Sequence, residues 1–233
     1  MDKKTYGLIE NHMLDCMRDS AHDKEHIYRV LYAALDIAGS EENVDLDVLI
    51  AACLLHDIGR EEQFKNPDVC HAEIGSRMAY DFLAGIGWAH GQADRVRLCI
   101  LSHRYRNDAQ PGSLEAKILF DADKLDATGA LGIARTLIYK GQVSDPLYTV
   151  DENGRVMDGA DAGPSSFFHE YKFKLEKLYG LFYTRRGREI AQGRRDSASA
   201  FYQSLLAQSR ECRESGMGRL EGLLCGKAGE EKA

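Results

Sequence analysis

The chain is short of the features that interrupt or staple a fold. Four prolines in 233 residues leave little scope for a long extended linker. No stretch approaches the roughly 18 apolar residues that a membrane-spanning helix needs. The first residues, Met-Asp-Lys-Lys-Thr-Tyr, hold no apolar signal core. Basic residues are outnumbered: 30 Lys and Arg against 37 Asp and Glu give a net charge of −7. That balance argues against an extended nucleic-acid footprint but leaves room for a local anion site. None of the six cysteines forms a C-x-x-C pair, so no thiolate zinc site is expected. Cys53 and Cys99 lie in apolar runs and read as buried thiols. Together these absences predict a cytoplasmic chain with no membrane association.

Strand alternation is scarce as well, and what is present is helical. Apolar residues recur at three- and four-residue spacing along most of the chain. The pattern predicts a helix over about 4–18, then one from an Asp23 N-cap to Gly39 carrying Ile27, Val30, Leu31, Ala34 and Ile37 on one stripe. A third helix, from about Asp45 to Asp57, is apolar nearly all round and should be central. Residues 64–69, holding Pro67, read as a loop. Helices follow over about 70–84, 91–104 and 113–140, the last broken near Asp123–Asp126. Residues 141–164 change character; Asp151-Glu152-Asn153-Gly154-Arg155 is a turn signal, and a loop or hairpin insertion is expected there. Two or three helices rich in Tyr, Phe, Lys and Arg occupy 165–225, and 226–233 reads as a frayed tail. The expected fold class is all-α. Its core is 1–140, and the 165–225 helices form a C-terminal extension packing on that core within one domain.

Six side chains stand out against this apolar background: His26, His56, Asp57, His71, His103 and Asp123. His26 shares the apolar stripe of its helix. His56 and Asp57 end the most apolar helix, and Asp123 follows Ile118-Leu119-Phe120. Histidine and aspartate are costly to bury unless something satisfies them. A divalent cation does so, since imidazole and carboxylate suit it, and helical bundles build such sites from facing helices.

These residues carry a resemblance. His26-Ile27-Tyr28-Arg29-Val30, then Leu55-His56-Asp57-Ile58-Gly59-Arg60, then Asp121-Ala122-Asp123-Lys124-Leu125-Asp126 resemble the ordered H…HD…D signature of the HD-domain superfamily. The likeness extends through His71-Ala72-Glu73-Ile74-Gly75-Ser76, Gly129–Arg135 and Phe182–Ala191, and it points to the stand-alone bacterial HD hydrolases. The resemblance implies a compact helical HD-domain bundle and a metal-dependent phosphohydrolase. It implies His26, His56, Asp57 and Asp123 as metal ligands. His71 and His103 become either ligands of a second ion or phosphate contacts. Mn, Mg, Fe, Ni and Co are not distinguished, and one ion is the first expectation.

Phosphate requires cations, and Arg29, Arg60, Arg104, Arg106 and Lys124 adjoin the candidate ligands. Either they hold substrate, or Arg29 and Lys124 pair with the site's own carboxylates. Asp126, three residues past Asp123, is a candidate acid or base beside Asp57 and Lys124. Glu61, Glu62 and Glu73 are further candidates whose default is a solvated carboxylate. His22 shares a helix face with His26; His90 and His169 read as structural, and the arginines from Arg185 to Arg195 as a solvated face. The expected substrate is a small phosphorylated compound, with a nucleotide suggested by the resemblance. Two alternatives stand beside it: an HD-fold di-iron oxygenase using all six residues, and a non-catalytic nucleotide-sensing module. A homodimer is left open.

Overall fold

A computed structural model describes residues 1–17, 24–104, 110–161 and 163–227. His22, Asp23 and Arg106 lie outside the described residues. The helices are α1 (Lys3–Cys16), α2 (Lys24–Ala38), α3 (Leu46–Leu55), α4 (Arg60–Lys65), α5 (His71–Gly85), α6 (His90–Ser102), α7 (Leu114–Leu125), α8 (Gly129–Gln142), α9 (Phe167–Phe173) and α10 (Arg185–Lys227), with a 3-10 turn at Leu175–Gly180. Among the described residues the all-α expectation holds: no strand forms, and Val150 and Val156 make one isolated antiparallel bridge. No described helix is long and apolar enough to cross a membrane.

The chain divides into two compact units. The first comprises Met1–Asp126 and Leu181–Ile190; the second comprises Ala127–Gly180 and the chain from Ala191 onward. The first unit is built around α3. Asp45 caps it, its Oδ1 accepting from the Val48 amide at 3.2 Å. Val48, Leu49 and every residue from Ala51 to Leu55 are buried, and α3 packs against α1, α2, α5, α6 and α7. An all-round apolar helix thus takes the central place its sequence predicts.

Two glycines explain how α5 reaches the end of α3. A Cβ on Gly59 would overlap the His71 carbonyl oxygen and the Gly75 amide nitrogen. The turn after His56–Asp57 therefore lies directly on the α5 backbone, which brings His71 beside Asp57. Gly59→Ala must push these backbones apart. We expect it to cost roughly 1–3 kcal/mol, read as a lowered urea midpoint. An unchanged midpoint would show the approach to be loose.

The first unit also recruits a distant segment. Asp121 is fully buried, and its carboxylate accepts from the Tyr183 amide (2.9 Å), the Thr184 amide (2.7 Å) and the Thr184 hydroxyl (2.6 Å). Thr184 in turn caps α10, its Oγ1 accepting from the Gly187 amide at 3.0 Å. Burial raises the Asp121 pKa, and these hydrogen bonds work against that rise.

The second unit has its own apolar cluster, with Ile133, Phe167, Phe168, Tyr171, Leu175, Leu178 and Tyr202 among its members. The long helix expected over 113–140 breaks at Asp126–Thr128, and α8 joins this second cluster through Ile133 and Leu137. α8 thus falls in the second unit, which begins at Ala127. The 141–164 segment turns at Asp151–Gly154, with Arg210 Nε donating to the Val156 carbonyl at 3.2 Å and Arg213 Nε donating to that of Gly154. One local departure from expectation matters below. Residues 64 and 65 were expected in a loop, but α4 runs through Lys65, whose Nζ lies 2.7 Å from Glu61 Oε1, one turn back.

Candidate metal centre

The first unit gathers the six singled-out residues from five places: His26 on α2, His56 and Asp57 after α3, His71 opening α5, His103 closing α6 and Asp123 on α7. They fall into two groups. Single ligand atoms of His26, His56 and Asp123 lie within 4.8 Å of one another, and so do those of Asp57, His71 and His103. Asp57 faces both. Its Oδ2 is 3.6 Å from His26 Nε2 and from His56 Nε2, while its Oδ1 is 3.3 Å from His71 Nε2 and 3.7 Å from His103 Nε2.

The far side of each ring decides which nitrogen faces inward. His56 Nδ1 donates to the Cys53 carbonyl at 2.8 Å, and His103 Nδ1 to the Ile100 carbonyl at 2.6 Å. Each Nε2 then keeps a lone pair turned to the centre. His26 Nδ1 donates to Asp126 Oδ2 at 2.7 Å. His71 Nδ1 is 2.6 Å from Gln63 Oε1 and 3.1 Å from Arg104 Nη1. It can donate to the first or accept from the second, so the neutral ring has two hydrogen-bonded states, one of which leaves the lone pair on Nε2.

Charge is closely matched. Arg60 Nε is 2.6 Å from Asp57 Oδ2, Lys124 Nζ is 3.0 Å from Asp123 Oδ2, and Arg29 Nε is 2.7 Å from Asp126 Oδ1. Burial works to raise the Asp57 pKa, but Arg60 and the imidazoles hold it well below the usual carboxylate range. Lys124 and His26 do the same for Asp123 against its own burial. Burial depresses His56 and His71, and takes His103 down to about 3. His26 is the exception: burial opposes its charge, yet hydrogen bonds to Asp123 and Asp126 raise its pKa to about 9.

A divalent cation fits this donor set. Asp57 Oδ1 and His71 Nε2 are fully buried and have no hydrogen-bond partner. A buried carboxylate oxygen and imidazole nitrogen left facing each other without a hydrogen bond are expensive, and an ion between them would remove the cost. On the first side, His26 Nε2 and His56 Nε2 stand 3.4 Å apart with carboxylate oxygens beside them.

The structure treats the remaining candidates unequally. Arg29, Arg60 and Lys124 pair with the site's own carboxylates, and Lys124 also lies 4.7 Å from the Phe120 ring centre. Asp126, a candidate acid or base in the sequence, is held by His26 and Arg29. Glu61 and Glu62 pair with Lys65, and Glu73 with Arg77. His90 meets the Tyr80 hydroxyl at 3.0 Å, and His169 stacks on Phe173. The sequence reading missed Gln63, whose Oε1 lies 2.6 Å from His71 Nδ1. If Asp126 orients His26, Asp126→Ala should weaken Mn(II) binding roughly 10–100-fold in titrations of metal-free protein. Undiminished affinity would remove it from that role.

A helical unit that ends its central helix in His-Asp and gathers further histidines and aspartates from neighbouring helices defines a class. The chain belongs to the HD-domain superfamily: the HD domain family model matches residues 24–128. It is similar to YpgQ of Bacillus subtilis, with 32% identity over 190 residues, 80% of this chain and 83% of YpgQ. The crystal structure of YpgQ in complex with ADP aligns at a TM-score of 0.67 and 29% identity, covering 88% of this chain and 95% of that one. The structure of a predicted HD superfamily hydrolase from an uncultured Thermotogales bacterium aligns at 0.59 and 32% identity, covering 86% and 90%.

Proposed function

We propose that the chain is a divalent-metal-dependent phosphohydrolase whose substrate is a nucleotide. The observation that carries this reading is the split carboxylate of Asp57, one oxygen toward each histidine group. His26, His56, Asp57 and Asp123 would hold one ion; Asp57, His71 and His103 would hold a second. The chemistry such ions supply when bound is Lewis acidity toward water and a phosphoryl oxygen. The chain's own residues prepare for it. Asp126 keeps the proton of His26 on Nδ1. Lys124 keeps Asp123 ionised, and Arg60 does so for Asp57. Arg29 and Arg60 retain 31% and 34% of their side-chain exposure, so phosphate oxygens can compete for them at the rim. Arg104, beside His71, adds a third guanidinium. The nucleotide reading draws on the ADP complex of YpgQ.

Metal-stripped protein reloaded in turn with Mn, Mg, Fe, Ni and Co should be assayed against a panel of phosphate compounds that includes nucleoside di- and triphosphates. The expected result is hydrolysis that disappears on chelation and in the His56→Ala, Asp57→Ala double variant. Equal turnover by that variant would sink the reading. The same six donors also suit a di-iron oxygenase. Iron-dependent dioxygen uptake without phosphate release would favour that alternative, and tight nucleotide binding without turnover would favour a sensing module.

A further inference from the structure

His71 differs from the other histidines of its group in what stands behind the ring. His56 and His103 each meet a backbone carbonyl, which only accepts, so both keep their proton on Nδ1. Behind His71 stand two side chains of opposite character. Gln63, on α4, sets Oε1 2.6 Å from Nδ1, and this oxygen accepts. Arg104, half-buried after α6, sets Nη1 3.1 Å from the same nitrogen, and a guanidinium only donates. One ring nitrogen cannot satisfy both. With the proton on Nδ1, the neutral ring donates to Gln63 and turns a lone pair on Nε2 toward Asp57. With Nδ1 accepting from Arg104, the proton sits on Nε2, 3.3 Å from Asp57 Oδ1, and Nε2 is closed to a cation.

We propose that Gln63 and Arg104 are opposed positioning residues that decide whether His71 can take an ion, and that an anion drawn to Arg104 opens the second ion site. A phosphate that engages the guanidinium takes away the donor to Nδ1. The ring then loses its proton from Nε2 and gains one on Nδ1, where Gln63 accepts it. The net charge of the ring is unchanged, and Nε2 is released as a ligand beside Asp57 and His103. The coupling is reciprocal: an ion held by Nε2 frees Arg104 for phosphate. This rests on the phosphohydrolase reading above and adds an order to it, in which the Asp57, His71 and His103 group fills when a phosphate arrives.

Inorganic phosphate is the probe, and nitrogen NMR of labelled histidine in metal-free protein shows which His71 nitrogen carries the proton. The expected result is Nε2 without phosphate and Nδ1 with it. This comparison uses the wild-type chain and stands whatever a substitution does to folding. Arg104→Leu should hold the proton on Nδ1 without phosphate, and Gln63→Leu should hold it on Nε2 even with phosphate. Mn(II) titration then counts ions. Arg104→Leu should bind the second ion without phosphate, and Gln63→Leu should bind it roughly 10–100-fold more weakly than wild type with phosphate present. Loss of a positive charge alone would favour the second ion in Arg104→Leu without moving the ring proton, so that outcome refutes the proposal. A ring proton that stays on one nitrogen in wild type with and without phosphate also refutes it, and the phosphohydrolase reading stands if metal-dependent phosphate release persists. A proton that moves as expected in a protein without any metal-dependent phosphatase activity upholds the switch and refutes the underlying reading instead.

Discussion

Asp57→Asn is expected to lower kcat for phosphate hydrolysis by roughly a thousandfold, the loss of several kcal/mol of charge stabilisation. Aspartate at this position offers an oxygen to each histidine group, at 3.6 Å on one side and 3.3 Å on the other. Asparagine keeps the shape but offers one oxygen and one N–H₂, and it is neutral. Whichever way the amide turns, one group loses its acceptor and meets a donor. The variant should therefore reduce bound metal on at least one side, measured by elemental analysis of the folded protein. His71→Ala, His103→Ala provides the contrast, since it strips one group while leaving His26, His56 and Asp123 intact. If Asp57→Asn keeps a tenth of the activity and the full metal content, Asp57 does not link the two groups.

The largest effect on stability is expected at Asp121. Replacing it with alanine leaves two amides and one hydroxyl without the acceptor that now serves all three. Stranding buried donors and removing a buried hydrogen-bonded charge should cost about 3–5 kcal/mol. For a chain of this size that lowers Tm by about 10 °C. Below the new midpoint, metal content should be unchanged, because Asp121 contacts Tyr183 and Thr184 rather than the histidines. A metal-free but thermally normal Asp121→Ala protein would reverse this assignment and exchange the parts given to Asp121 and Asp123.

Why Asp123 and not Asp121 reads as the candidate ligand is instructive. The two share one apolar approach, and periodicity does not separate them. The resemblance did, by matching the Ala-Asp-Lys-Leu segment. His26, His56 and Asp57 were legible for a physical reason: imidazole and carboxylate in apolar helices need partners, and few partners suit them as well as a cation. The central place of α3 followed from its lack of a polar face. What stayed hidden depends on tertiary approach. Gln63 lies on a short helix whose fixing required Gly59 to meet Gly75, and no local pattern announces that. Asp126 reads from sequence as a possible base, and only the 2.7 Å contact with His26 Nδ1 shows it behind the ring. The end of the first unit at Asp126 was equally invisible, because α8 and α7 have similar patterns and differ in which core accepts them.

The tie between Asp121 and Tyr183–Thr184 sets a timetable. The partners are 62 and 63 residues apart. At typical synthesis rates of roughly 5–20 residues per second, Asp121 emerges several seconds before its donors exist. During that interval all six candidate donors have already been made, yet the unit that holds them is one segment short. The family match, residues 24–128, ends before that segment. A fragment cut to the match would carry all six candidate donors and keep Asp121 permanently without Tyr183 and Thr184, as the growing chain does for seconds. Making the six candidate donors and closing the unit around Asp121 are thus separate events in the synthesis of this chain, and the first precedes the second.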